Sequence, residues 1–217
     1  MGPLAVRPAA VLAGLSEPGT ELEHVLALLR ACSQDAPEML AVAEGDRRLL
    51  ALHRALTGRD VALTVTCGGC SAENELTVTD VPEEAPRVAV CGAGGGVRAP
   101  TYGDLLDLPE DLELAEAELL RRCVVGAPAR APRPEDLELI DDSLAGPLVS
   151  ACVECGARLE VALDIEQLVV AGLRQQLERI DAEVHLLARA YHWDLATIER
   201  LPDERRTRLA ELVAEGR

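Results

Sequence analysis

The 217-residue chain is 48% apolar and carries 38 acidic against 21 basic residues, for a net charge of −17. That apolar share can build a core, which excludes a wholly disordered chain, and the acidity would repel a phosphate backbone, which excludes non-specific nucleic-acid binding. No stretch approaches the roughly 18 uninterrupted apolar residues of a membrane span, and the weak run from Ala9 to Leu15, broken by Gly14, falls short of a secretory segment, so a cytoplasmic protein is expected.

The first element is a helix. Thr20 followed by Glu23 forms a capping-box pattern, and Leu22, Val25, Leu26 and Leu29 mark its apolar stripe. A second helix is predicted from about Asp46 to Thr57, with Leu49, Leu50, Leu52 and Leu56 on its apolar side and Gly58 placed to cap its end. The texture then changes. Val61, Leu63 and Val65 alternate with Ala62, Thr64 and Thr66, the period of a half-buried strand. Alternation resumes after Cys67-Gly-Gly-Cys70, through Leu76 to Thr79. Leu148 and Val149 lead into Cys152-Val-Glu-Cys155-Gly156, and Leu159 to Leu163 lead out, so strand, cysteine knuckle, strand occurs twice.

An insertion of 81 residues separates Cys70 from Cys152. It holds the glycine-rich stretch Gly92 to Gly96, a strand end at Val97, and a turn near Pro100. A helix over about Glu110 to Arg122 follows, then a connector through Pro128, Pro132 and Pro134 that is expected to be flexible. From Ile165 to Tyr191 apolar residues recur at three- and four-residue steps, predicting one helix about 40 Å long with Asp164 as its N-cap. Asp194 caps a short helix, and Pro202 opens a last one with Leu209, Leu212 and Val213 on one side. The fold class is therefore α+β. Two knuckle hairpins form a zinc-ribbon-like core (59–164, insertion about 83–147), preceded by a helical segment (1–58) and followed by a helical unit (165–217).

The paired knuckles, Cys67, Cys70, Cys152 and Cys155, carry the chemistry. Zinc takes four soft ligands at tetrahedral corners, and two residues between cysteines let one tight turn aim both thiolates at one ion. Gly68, Gly69 and Gly156 suit the backbone angles of such turns. Two knuckles on two hairpins can face each other and complete one site, giving one structural zinc per chain. Four thiolates would leave no position for water or substrate, and a thioredoxin-like motif would open a helix, so an inert site is expected over redox chemistry. Cys32, Cys91 and Cys123 have no ligand spacing to one another, and Cys123 fits a small core residue. The four histidines are scattered, and the glycine-rich stretch lacks a P-loop ending. Neither an enzyme constellation nor a small-molecule site is expected. Tyr191, His192 and Trp193 gather two of the three aromatics where the long helix ends, with Arg205 and Arg206 nearby. Both a hydrophobic corner and a partner-docking surface fit that cluster.

Three stretches carry a further resemblance. They are Leu63 to Cys70 with its following strand, then Arg98-Ala-Pro-Thr101-Tyr-Gly-Asp104 with a helix ending in Arg122-Cys123. The last runs from Cys152 through Asp164-Ile165 to Glu183–Trp193, Ile198, Leu201 and Arg205-Arg206. In these the chain resembles the T-even-phage-type baseplate hub assembly chaperones of tailed phages and phage-like contractile injection systems. The family often has Cys-Pro-x-Cys-Gly knuckles and commonly a glycine before its tryptophan, where this chain has His192. The resemblance implies an assembly chaperone whose partner is a hub or spike subunit. A structural subunit retained in the baseplate is the alternative, ahead of a zinc-ribbon regulator or a thiol-disulfide protein.

Overall fold

The structure is a computed structural model describing Leu15 and residues 19–32, 36–78, 88–92, 94–141, 143–144 and 146–216. The rest of the Ala9–Leu15 run and the strand residue Thr79 lie outside these residues. The chain is mixed α+β and divides into two compact units, Met1–Val170 and Ala171–Arg217.

In the first unit α1 (Glu21–Cys32) is closed by the capping box its sequence predicts. The Thr20 N–H donates to Glu23 Oε2 at 2.6 Å and the Glu23 N–H to Thr20 Oγ1 at 3.3 Å. The next helix, α2 (Val42–Thr57), starts one turn earlier than its apolar pattern suggests. The extra turn is built on backbone pairing: the Val42 N–H donates to Pro100 O and the Tyr102 N–H to Leu40 O, both at 3.0 Å. Gly58, at φ 70°, ends α2 in the left-handed region. Val25, Leu28 and Leu29 of α1 and Leu49 and Leu52 of α2 are buried.

Hairpin β1–β2 (Val61–Thr66, Glu73–Val78) and hairpin β6–β7 (Gly146–Ala151, Arg158–Leu163) are the two predicted repeats. Val61 pairs Val78 in one and Gly146 pairs Leu163 in the other, so the two registers superpose at a constant offset of 85 residues. Each hairpin is a separate two-stranded sheet.

The described residues of the insertion hold more regular structure than their composition suggests. It forms a three-stranded antiparallel sheet of β3 (Val88–Val90), β4 (Gly95–Arg98) and β5 (Val124–Gly126), with short helices α3 (Tyr102–Leu105) and α5 (Pro134–Glu138) and the longer α4 (Leu112–Cys123). Strands of three residues show no readable period, which is why only the end at Val97 was legible. The Pro-rich connector expected to be flexible is instead clamped. Arg130 grips Asp136 with both terminal guanidinium nitrogens, and the Arg133 N–H donates to Asp136 Oδ2 at 2.8 Å, so Pro134 opens α5.

Tyr102 is fully buried against α2 at Gly45. A Cβ at residue 45 would stand 2.7 Å from the ring carbon Cζ of Tyr102. Glycine costs a helix interior about 1 kcal/mol relative to alanine, yet here it makes room for the ring. Gly45→Ala is therefore expected to destabilise the protein by about 1–3 kcal/mol through overpacking. Urea unfolding of the two proteins checks it, and an unchanged or raised midpoint would contradict it.

The second unit begins within α6 (Ile165–Tyr191) and continues through α7 (Leu195–Glu199) and α8 (Asp203–Ala214). Asp164 and Asp194 cap α6 and α7 as predicted, accepting from Gln167 N at 2.9 Å and Thr197 N at 2.7 Å. Leu187, Ile198 and Ala210, one from each helix, form the unit's core, with Val184, Trp193, Leu201, Leu209 and Val213 packed around them. Among the described residues no helix is long and apolar enough to cross a membrane.

Candidate metal centre

The two hairpin turns bring Cys67, Cys70, Cys152 and Cys155 together, with all four sulfurs within 4.8 Å of one another. The close pairs cross between knuckles: Cys67 Sγ lies 3.7 Å from Cys155 Sγ, and Cys70 Sγ lies 3.6 Å from Cys152 Sγ. A tetrahedron with metal–sulfur bonds of about 2.3 Å has edges of about 3.8 Å. A disulfide would need about 2.05 Å, and all four cysteines are free thiols. The spacing fits four ligands around one ion.

Each knuckle is built alike. The Cys67 N–H donates to Ala72 O and the Cys152 N–H to Ala157 O, both at 2.8 Å. The Gly69 N–H points at Cys67 Sγ from 3.4 Å, the kind of outer bond that orients a ligand. The turns differ from expectation in their left-handed residue. Gly156 takes it, at φ 71°, but neither Gly68 nor Gly69 does; Ser71 adopts φ 61° at the equivalent position of the first knuckle. The turn's shape, not its glycine content, sets that conformation.

Cys67 and Cys152 are buried with Leu159, packed by Ala72 and Ala157, while Cys70 and Cys155 face outward. Two buried and two exposed sulfurs give a site reachable from one side. The N–H groups of Cys155 and Glu154 hold the Cys152 thiol down at about 6. The Ala72 backbone favours a thiolate at Cys70, but the sulfurs of Cys155 and Cys152 push it up to about 12. Four sulfurs this close cannot all ionise without a cation among them. Thiolate donors suit a soft or borderline ion, and four of them close its coordination sphere.

Asn74 is a structural ligand-holder that the sequence reading missed. It is buried, and its Oδ1 accepts from the Val153 N–H of the opposite knuckle at 2.9 Å while its Nδ2 donates to Ala72 O at 3.0 Å. The equivalent position of the second hairpin is the apolar Leu159, so the polar cross-link is made once. Its only sequence signal was that it is the single asparagine of the chain.

A second missed feature lies in the insertion. Arg98-Ala-Pro-x-x-x-Asp104 recurs 32 residues later as Arg130-Ala-Pro-x-x-x-Asp136, preceded in each copy by a cysteine, Cys91 or Cys123. Arg98 grips Asp104 at 2.6 and 2.9 Å and donates to Ala99 O at 3.1 Å. Arg130 repeats this with Asp136 and Ala131. The cysteines cross over: Cys91 lies by Arg130 and Asp136, and Cys123 by Arg98 and Asp104. Burial, then Asp104, pushes the Cys123 thiol up to about 11. Against the penalty of burial, Arg98 and the Thr101 backbone and hydroxyl hold Asp104 down at about 2. Both cysteines are buried, Cys123 as expected, and neither belongs to the four-sulfur cluster. Self-comparison at that offset would have exposed the pattern.

The aromatic and arginine cluster of the second unit divides by exposure. Tyr191, His192 and Arg205 are exposed, and Trp193 is half-buried, stacked on Tyr191 with ring centroids 4.8 Å apart. Arg206 is buried. Its Nε donates to Glu183 Oε2 at 2.9 Å and its Nη1 to Asp203 Oδ1 at 2.7 Å. Arg206 therefore braces α8 against α6, and the solvent-facing part of the cluster is Tyr191, His192 and Arg205.

Comparison with protein-family models, with curated proteins and with solved structures finds no match to this chain.

Proposed function

We propose that the protein is a non-catalytic adaptor whose zinc-ribbon-like core is closed by one structural zinc, and that it serves as an assembly chaperone for the baseplate hub of a phage-like contractile tail or injection system. The observation that carries the adaptor reading is the four-sulfur cluster. Zinc is the ion we assign, because four thiolates at tetrahedral spacing are its usual structural set. Cys67, Cys70, Cys152 and Cys155 would hold it, and its role would be to tie two hairpins that have no strand pairing with each other.

The chaperone part rests on the resemblance in sequence, and two local features support it. The position before Trp193, where the family commonly has glycine, is in the left-handed region at φ 56°, a conformation glycine adopts at least cost. The Arg98–Asp104 stretch quoted for the resemblance is a bonded motif capping α3. The partner is a hub or spike subunit, and Tyr191, His192 and Arg205 are the residues offered to it.

The test is a pull-down from cells co-expressing the intact chain with tail hub and spike proteins. Capture of one of them is expected, and Tyr191→Ala with Arg205→Ala should weaken it about thirtyfold or more, since interface anchors cost at least about 2 kcal/mol when removed. Mass spectrometry of finished particles separates a chaperone, which should be missing, from a retained subunit. Failure of the intact chain to capture any tail protein would end the chaperone reading.

A further inference from the structure

Charge is unevenly divided along this acidic chain. The second unit, residues 171–217, holds 8 of the 21 basic residues and 9 of the 38 acidic ones, so it carries −1 of the net −17. Its arginines also differ in how they are engaged. In the first unit Arg59 and Arg133 are the described arginines without an ion pair, and the others are held by carboxylates. In the second unit Glu183 holds Arg179 and Arg206, whereas Arg189, Arg200, Arg205 and Arg208 are exposed and form no ion pair among the described residues. Arg200 donates to the Thr197 hydroxyl at 3.2 Å. Arg205 and Arg208 make no side-chain hydrogen bond among the described residues. Glu204 stands four residues before Arg208 and Glu211 three after it, positions from which a helix pair can close, yet neither takes it.

Steps of about 100° per residue put Arg205, Arg208, Leu209 and Leu212 within about 100° of arc on α8. Leu209 and Leu212 are half-buried there, and Glu204 and Glu211 fall outside the arc. We infer that this face of α8 docks an acidic amphipathic helix of a partner protein, with Arg205 and Arg208 receiving two carboxylates one turn apart and Leu212 meeting an apolar side chain between them. The partner's identity rests on the chaperone reading above; its chemistry follows from the face. An arginine already gripped must give up its carboxylate before it can take another, and these two have none to give up. They stand about 4.5 Å apart along the axis, which matches carboxylates at i and i+3 or i+4 of a facing helix. Each guanidinium can take a carboxylate with two parallel bonds. A nucleic acid fits less well, because a long polyanion is repelled by the net −17 of the whole chain.

The experiment uses the full chain and an Ala-rich helical peptide of about 20 residues, with glutamates one turn apart and leucines between them along one face. Titration should give a dissociation constant below about 1 mM at low salt, weakened several-fold between about 50 and 300 mM salt. The peptide with glutamine for glutamate should bind at least about tenfold more weakly. Arg205→Glu with Arg208→Glu should lose the acidic peptide and gain one bearing arginines at the same positions, while its thermal midpoint stays close to the parent's, since both residues are exposed. Should that variant fail to fold, the glutamate-to-glutamine contrast on the parent decides. Equal binding of the acidic and neutral peptides, or none, overturns the inference, as does tighter binding of a DNA duplex or pairing with a second copy of the chain through these arginines. Peptide binding without capture of any tail protein leaves this face standing and ends the chaperone reading; capture without peptide binding does the reverse.

Discussion

Replacing Cys152 by serine is expected to abolish stoichiometric metal binding and to destabilise the hairpin region by on the order of 5 kcal/mol, a fraction of the apparent binding free energy of structural zinc sites. The reason is geometric. Hairpins β1–β2 and β6–β7 share no ladder, so their junction is the sulfur cluster, the Asn74–Val153 bond and a small apolar cluster around Leu159. Removing one ligand also leaves three thiols crowded at under 5 Å. Metal analysis of protein purified without added zinc should give about one ion per chain for the parent and little for the variant. Because Cys70 and Cys155 are exposed, native alkylation gives an independent reading. They should resist reagent in the parent and react after chelation. Less than about half an equivalent of metal, with both thiols reactive from the start, would remove the zinc assignment.

Arg206→Ala is expected to destabilise the C-terminal helical unit by about 3–5 kcal/mol, the usual consequence of stranding one partner of a buried ion pair. Arg206 and Glu183 keep only 7% and 8% side-chain exposure. Without the guanidinium, Glu183 would retain the Thr207 hydroxyl at 2.9 Å and the half-exposed Arg179 at 4.0 Å. Arg205→Ala, one residue away and exposed, should stay within about 0.5 kcal/mol. Fluorescence of Trp193, the single tryptophan, follows this unit because the side chain packs on the Leu187–Ile198–Ala210 core. The double replacement of Glu183→Leu with Arg206→Met should recover most of the loss, since apolar substitutes of similar size are tolerated where a lone charge is not. Equal, small effects of the two single arginine variants would show that the pair carries no load. The contrast also guides work on partners: only Arg205 can be changed without confusing docking with unfolding.

The sequence by itself determined the elements whose causes are local. Alternation wrote the four strands of the two hairpins, because side chains on successive strand residues point to opposite faces. Caps wrote the helix starts at Thr20, Asp164 and Asp194, because a side-chain oxygen three residues ahead is all an orphan N–H needs. The Cys-x-x-Cys pairs wrote the knuckles. Tertiary structure decided what lies far apart in sequence. Across 81 intervening residues, nothing local could say that the knuckles meet, or that Asn74 would bond the opposite turn. Strands of three residues were too short to show a period, and the proline-rich connector became a clamp only when Arg130 found Asp136. Arg205 and Arg206 are indistinguishable as letters. They differ because a step of about 100° around α8 sends one into solvent and the other onto Glu183.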